Sequence, residues 1–112
     1  MLVERLCGDT YAGADGLAWP LPLTTATTDL RFDRTGYWRG PQWPPITWLL
    51  WHGLSRHGHR RTAERFRAIQ IEQLREVGCT EYVEPFSGRP LGSGSQSWTA
   101  AVALDLLSYD LP

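Results

Sequence analysis

Two carboxylates, Glu81 and Glu84, lie in a segment that is rich in glycine, proline and aromatic residues. The segment reads Glu-Tyr-Val-Glu-Pro-Phe-Ser-Gly-Arg-Pro-Leu-Gly over residues 81–92 and leads through Gln96 and Trp98 into an apolar stretch. A carboxylate in a loop beside aromatic rings can act as a general acid or base on a glycosidic bond. Because most glutamates in loops are simply solvated, the pattern alone leaves both interpretations open.

A second segment with ligand-binding side chains is Tyr-Trp-Arg-Gly-Pro-Gln-Trp-Pro at residues 37–44. Indole rings stack on the C–H faces of sugars, while guanidinium and amide groups form directional hydrogen bonds with hydroxyls. Arg39 can also bind a carboxylate through two parallel bonds. The alternative is that Trp38 and Trp43 pack beneath the loop while Arg39 caps carbonyl groups. Composition does not separate the two interpretations, although six tryptophans in 112 residues is a high number.

Several other chemistries are disfavoured. The three histidines, His52, His57 and His59, lack the spacing and the cysteine or carboxylate partners of a metal site. The Ser-Gly-Ser stretch at residues 93–95 lacks the strand that presents a nucleophilic serine, and no glycine-rich phosphate-binding motif occurs. We therefore expect no metal and no cofactor.

Charge and hydropathy limit the classes of molecule that the chain is expected to bind. With 11 basic and 12 acidic residues the net charge is -1, which disfavours nucleic acids and anionic membranes as partners. No signal peptide and no apolar run of about 20 residues is present, so a cytoplasmic protein is expected. Cys7 and Cys79 fit no metal-site spacing; a single disulfide and two free thiols both stay open, and the default is a reduced compartment.

The elements that must position the two segments are helices. Residues 2–7 resemble a helix end stopped by Gly8, and two prolines begin a helix that ends at Gly58. A charged amphipathic helix follows over residues 59–77, and Ser97 caps a last helix from Trp98 that is apolar nearly all round and is expected to be buried on several sides. The expected apolar stripes are Ile46, Leu49, Leu50, Gly53, Leu54 and His57 in the first of these helices, and Ala63, Phe66, Gln70, Leu74 and Val77 in the second.

The long irregular segments before the two apolar helices, over residues 9–44 and 79–96, carry the candidate site residues. In a double layer of inner and outer helices, both segments emerge at the same end. No alternating strand pattern and no internal repeat is found. The sequence therefore predicts one all-α domain with a site at one end.

Taken in order, residues 37–44, 81–92 and 97–101 resemble the C-terminal third of glycoside hydrolase family 63, most of all its mannosylglycerate and glucosylglycerate hydrolase type. The resemblance extends from about Gly16 onward. It implies that residues 1–112 form an incomplete, C-terminal part of a catalytic (α/α)6 barrel of the six-hairpin type. It also implies hydrolysis of an α-glucoside or α-mannoside with inversion, the substrate being a small saccharide or glycoside.

The resemblance assigns roles to individual residues. The family's general base is a glutamate seven residues before the glycine of a Thr/Ser-Gly pair, which here is Glu81 ahead of Gly88. Glu84 is the second choice. The residues expected to bind substrate are Tyr37, Trp38, Arg39, Gly40, Gln42, Trp43, Gln96 and Trp98.

One departure from the family pattern limits this interpretation. The family's general acid is an aspartate far upstream of these motifs, and no segment of this chain resembles its surroundings. The chain alone is therefore expected to be inactive. Two other functions stay open: a sugar-binding remnant without catalysis, and a structural helical fragment completed by a partner, either the remainder of the barrel or a further copy of the chain.

Overall fold

A computed structural model describes residues 2–108 and shows a mostly helical protein with one small antiparallel hairpin. Pro44 lies in the first helical turn, where its missing N–H is not needed. Gly78, with a φ of 77°, ends the longest helix in a conformation that favours glycine. The elements are α1 (Leu2–Leu6), α2 (Pro44–Arg56), α3 (Arg60–Val77), β1 (Tyr82–Val83), β2 (Pro90–Leu91) and α4 (Ser97–Ser108).

The core lies where α2, α3 and α4 pack together. Trp51 of α2, Phe66 of α3 and Leu106 of α4 are all buried there, together with Leu21 from the first long loop. Each such side chain contributes roughly 1.5–3 kcal/mol by leaving water. The predicted all-α class and its order of helices are confirmed.

The buried faces of α2 and α3 differ in part from the predicted stripes. In α2 the buried residues are Pro44, Thr47, Trp51 and Leu54, whereas Leu49 is 56% exposed. Most of the predicted α2 stripe instead lines an open apolar groove between α1 and α2. The large Trp51 ring, which lies outside the predicted stripe of α2, fills the core instead. In α3, Ala63, Phe66 and Gln70 are buried as expected, joined by Arg67 and Gln73, while Leu74 and Val77 are only half-buried.

The last helix is packed on one side within residues 2–108. Thr99, Val102 and Leu106 are buried against the rest of the molecule. Leu104 is 72% exposed and Leu107 is exposed as well. The expectation of burial on several sides is therefore not met by these residues, because α2 and α3 cover only one face.

The two long loops meet at one end of the helices, as predicted. The backbone N–H of Gln42 donates to the Val83 carbonyl at 3.0 Å, and that of Val83 donates back to Gln42 at 2.9 Å. The hairpin of β1 and β2 was not expected, because strands of two residues are too short to show an alternating pattern. Cys7 and Cys79 are both free thiols. No helix within residues 2–108 combines the length and apolarity needed to cross a membrane.

Candidate active site

Glu81 lies immediately before β1, and hydrogen bonds hold its carboxylate from two directions. The hydroxyl of Tyr37 donates to Oε2 at 3.2 Å, and the backbone N–H of Ser93 donates to Oε1 at 3.0 Å. The N–H of Glu81 in turn donates to the Ser93 carbonyl at 2.8 Å. A carboxylate can accept about four hydrogen bonds, so these two contacts orient Glu81 and leave lone pairs for a water molecule.

The loop that follows β2 packs tightly against Glu81. Gly92 has a φ of 73°, and a Cβ atom built on it lies 2.5 Å from Glu81 Oε1 and 2.7 Å from a ring carbon of Tyr82. Only glycine fits this backbone conformation and this close approach. On the other side, the Thr99 hydroxyl donates to the Thr80 carbonyl at 2.8 Å and ties the chain next to Glu81 to α4.

An aromatic cluster adjoins the carboxylate, with Trp43 at its centre. Trp38 stacks on Trp43 at a centroid distance of 3.6 Å, and Tyr82 stacks on it at 4.8 Å. Tyr37 and Trp98 meet Trp43 edge-on at 4.7 and 6.2 Å. Tyr37, Trp38 and Trp98 are exposed, so the cluster presents ring surface to solvent beside Glu81. Such surface can stack on the apolar face of a sugar.

Tyr37 adopts a left-handed backbone conformation with a φ of 61°, the only positive φ of a non-glycine residue within residues 2–108. Its carbonyl accepts a hydrogen bond of 2.9 Å from the indole N–H of Trp43, which holds this conformation. Although the Tyr37 side chain is partly exposed, desolvation by its neighbours raises its pKa, and the hydrogen bond to Glu81 and the charges of Glu81 and Tyr82 raise it further. Tyr37 therefore stays a protonated donor toward the carboxylate.

Glu84, the second candidate base, is engaged on both of its oxygens. Oε1 accepts hydrogen bonds from Arg34 Nε at 3.0 Å and from the N–H of Phe86 at 2.8 Å. Oε2 accepts from Arg34 Nη2 at 2.9 Å and from the N–H of Ser87 at 3.0 Å. Burial acts to raise the pKa of Glu84, but these bonds outweigh it and lower the pKa to about 2. Glu84 is thus an ionised carboxylate that organises its own loop.

Two of the expected substrate-binding residues, Gln42 and Trp43, are buried. Trp43 and Gln42 are each 1% exposed. The side-chain amide of Gln42 donates to the carbonyls of Trp19 and Leu21 and accepts from Gln73 at 2.9 Å. The structure therefore places both residues as supports of the site and not on its surface, because their polar groups and ring faces are satisfied by protein.

The remaining expected residues lie at the edge of the site. Gly40 is buried where a Cβ atom would approach the carbonyl oxygen of Asp33 to 2.6 Å. Arg39 is exposed, and its guanidinium lies 3.8 Å from Asp33 within the same loop. Gln96 is half-buried ahead of α4, and its N–H donates to the Cys79 carbonyl at 2.9 Å. Within the described part of the chain, no group of three or more His, Cys, Asp or Glu side chains can hold a metal ion.

Three residues of the site were not singled out from the sequence: Arg34, Tyr82 and Gly92. Arg34 contacts a carboxylate 50 positions away, a distance over which no local pattern carries a signal. Tyr82 and Gly92 fall inside the predicted loop motif. Gly92 has a positive φ, and a glycine in a loop is the sequence signal by which such a position can be found.

The fold and the site together define a class: a helical protein whose two long loops bring one open carboxylate beside exposed aromatic rings, as in helical-barrel glycoside hydrolases. Residues 6–99 match the model of the mannosylglycerate hydrolase MGH1-like glycoside hydrolase domain, and the chain belongs to this family. It is 40% identical over 106 residues to the glucosylglycerate hydrolase of Mycolicibacterium hassiacum. It is 36% identical over 106 residues to the mannosylglycerate hydrolase of Rubrobacter radiotolerans.

Solved structures agree with this assignment. The family 63 mannosylglycerate hydrolase from Thermus thermophilus in complex with glucose superposes with a TM-score of 0.79 at 26% identity, over 96% of this chain and 26% of that one. Its complex with Tris gives a TM-score of 0.82 at 27% identity, over 96% of this chain and 25% of that one. The match confirms the expected portion of a helical barrel fold. The alignment covers 95% of this chain but only 24% of the length of each of the two curated relatives above.

Proposed function

We propose that this chain contributes to a larger glycoside hydrolase domain that cleaves an O-glycosidic bond of the glucosylglycerate or mannosylglycerate type with inversion, Glu81 being the general base. The observation that supports Glu81 most directly is its carboxylate, held by Tyr37 and Ser93 yet with acceptor sites left for water, beside exposed aromatic rings. The names of the relatives supply the substrate class.

In this mechanism Glu81 accepts a proton from a water molecule as the water oxygen attacks the anomeric carbon. The bond from that carbon to the glycerate oxygen breaks, and a general acid protonates the leaving oxygen. Tyr37 and Ser93 keep the carboxylate aimed at the water, which fixes the attack geometry. The exposed rings of Trp38 and Trp98 stack on the sugar.

The general acid is proposed to come from outside the residues described above. An inverting pair needs two carboxyl groups about 6.5–9.5 Å apart, one of them protonated. Glu84 does not fill the role, because its pKa of about 2 keeps it ionised at neutral pH and its oxygens are engaged with Arg34 and the Phe86 and Ser87 N–H groups. The 112-residue chain alone is therefore expected to show no turnover.

A chimeric enzyme tests the proposal. Residues 6–99 of this chain replace the corresponding segment of the Mycolicibacterium hassiacum glucosylglycerate hydrolase, and proton NMR follows glucosylglycerate. The chimera is expected to release glucose whose first-formed anomer has the configuration opposite to that of the substrate. A folded chimera that is inactive, or that retains configuration, contradicts the proposal. Robust turnover by the purified 112-residue chain contradicts the proposal that the general acid lies outside the residues described above.

A second candidate function is sugar binding without catalysis, which the exposed Trp38 and Trp98 rings support. Titration of the purified chain with glucosylglycerate, followed by tryptophan fluorescence, separates it from the third candidate, a purely structural fragment. A saturable change that is lost in Trp38→Ala supports a sugar platform. No response at millimolar ligand, together with self-association through the exposed Leu104 and Leu49 surfaces, supports the structural role.

A further inference from the structure

Two side-chain contacts join residues 34–37 to residues 81–84 at the candidate active site. Arg34 pairs with Glu84, and Tyr37 bonds Glu81. The two contacts are three residues apart along each segment, and the order of the residues is reversed in the second segment, as between two antiparallel strands. Each contact is called a rung below. One contact contains the proposed base, and the other contains a carboxylate whose two oxygens are both engaged.

The Arg34–Glu84 rung is built to hold its position. The guanidinium and the carboxylate form two parallel bonds of 3.0 and 2.9 Å, the strongest geometry available to such a pair. The Glu84 side chain is only 4% exposed and is fixed by the N–H groups of Phe86 and Ser87. Arg34 also lies over the ring of Phe86, with its guanidinium carbon 4.8 Å from the centroid.

The chain between the two rungs is a tight turn with little freedom. The carboxylate of Asp33 accepts from the N–H of Thr35 at 3.0 Å, and the Asp33 carbonyl accepts from the N–H of Gly36 at 2.9 Å. Tyr37 follows directly in its left-handed conformation. Because these hydrogen bonds fix the turn, we expect a displacement of Arg34 to shift the Tyr37 hydroxyl as well.

We propose that Arg34, acting through Glu84, is a positioning residue that holds the Tyr37 hydroxyl on the Glu81 carboxylate. The catalytic meaning of this contact rests on the proposed function, but the contact itself is measurable without turnover. In this proposal Glu84 is not a base; it anchors the loop that carries Arg34 and Tyr37.

The test follows ionisation of Tyr37 in the full chain by phenolate absorbance, with the titration of Tyr37→Phe subtracted. The Tyr37 pKa is raised in the native chain by desolvation, by the hydrogen bond to Glu81 and by the charges of Glu81 and Tyr82. In Arg34→Met it is expected to fall toward about 10, the ordinary value for tyrosine. Loss of a positive charge alone acts in the opposite direction, since a nearby cation stabilises phenolate. The sign of the change therefore separates positioning from simple electrostatics.

Arg31→Met is the matched control, because Arg31 forms a similar two-bond pair in the same loop, but with Asp29, which is not a residue of the site. It is expected to leave the Tyr37 titration unchanged. Arg34→Lys, which keeps the charge without the fork of two bonds, is expected to restore part of the shift. If Arg34→Met fails to fold by circular dichroism, Arg34→Gln serves in its place, because it removes the same positive charge and the two-bond pair but keeps a polar side chain. It is also expected to lower the Tyr37 pKa, against the electrostatic effect of the lost charge.

An unchanged or raised Tyr37 pKa in a folded Arg34→Met or Arg34→Gln protein overturns the proposal. The proposed function fails by a different result: a chimera that keeps its turnover without the Glu81 carboxylate. In that case the response of Tyr37 to Arg34 still shows whether the positioning holds, so the two failures are distinguishable.

Discussion

Gly92 is the position at which one added carbon atom is expected to disturb the proposed base directly. In Gly92→Ala the new Cβ would lie 2.5 Å from Glu81 Oε1, 2.7 Å from a Tyr82 ring carbon and 2.9 Å from Glu81 Cβ. The carboxylate oxygen can rotate away, but the Tyr82 ring and the Glu81 Cβ are held by the hairpin. The backbone must therefore shift and carry Glu81 with it.

The expected cost has two parts. A φ of 73° in an alanine costs roughly 1–2 kcal/mol, and forcing a methyl group into a filled site costs roughly a further 1–3 kcal/mol. For a domain of this size each 1 kcal/mol lowers the melting temperature by roughly 4 °C or more, so Gly92→Ala is expected to melt at least about 8 °C lower. Thermal unfolding by circular dichroism measures it.

Gly94→Ala is the matched control in the same loop, because its added Cβ meets no atom within 4 Å. It is expected to change stability by no more than about 0.5 kcal/mol. If Gly92→Ala melts together with Gly94→Ala, the close packing of this loop against Glu81 is refuted. A lower Tyr37 pKa in Gly92→Ala than in Gly94→Ala would indicate loss of the Tyr37–Glu81 hydrogen bond and would support the close packing.

Three further substitutions probe the supports of the site. The pKa of Glu84 is about 2 in the fold against 4.5 for a free glutamate, so the stability that its ionised form contributes is complete above pH 4.5 and is lost as the pH falls through 2. After allowance for the exposed Arg34, this contribution to the free energy of unfolding is about 1–2 kcal/mol. Urea unfolding at pH 7 and pH 2.5 is therefore expected to show a smaller pH dependence of stability for Glu84→Gln than for the unchanged chain. Trp43→Phe keeps a ring but loses the donor to the Tyr37 carbonyl, and urea unfolding is expected to show a loss of about 2 kcal/mol; an unchanged midpoint contradicts this. Thr99→Val leaves the buried Thr80 carbonyl without its hydroxyl partner and is expected to cost about 1–3 kcal/mol in the same assay.

The helices were predictable because their ends carry local signals. Pro44 marks the start of α2, and Gly78 stops α3 at the expected position. The meeting of the two loops followed from the order of the elements alone. The buried face of α2 was harder, since Trp51 and Thr47 fill the core while the leucine stripe lies along an open groove. Periodicity shows that a helix has an apolar face but not which neighbour covers it.

The site was predictable only in part, and for a physical reason. Glu81 was one loop carboxylate among several until the resemblance singled it out, and its role stays a prediction that the geometry supports. The burial of Gln42 and the pairing of Arg34 with Glu84 depend on contacts 21 to 50 positions apart. Such contacts are set by the tertiary fold, so no spacing within either motif encodes them.

The central claim is that Glu81 deprotonates the attacking water, and azide rescue tests it most directly. In the chimera that carries residues 6–99, Glu81→Ala is expected to abolish glucosylglycerate hydrolysis. Added azide is expected to restore substrate cleavage and to form a glycosyl azide of inverted configuration, because azide is an anion that attacks without a general base. Full hydrolysis by the Glu81→Ala chimera, or a folded variant that azide does not rescue, would contradict the account.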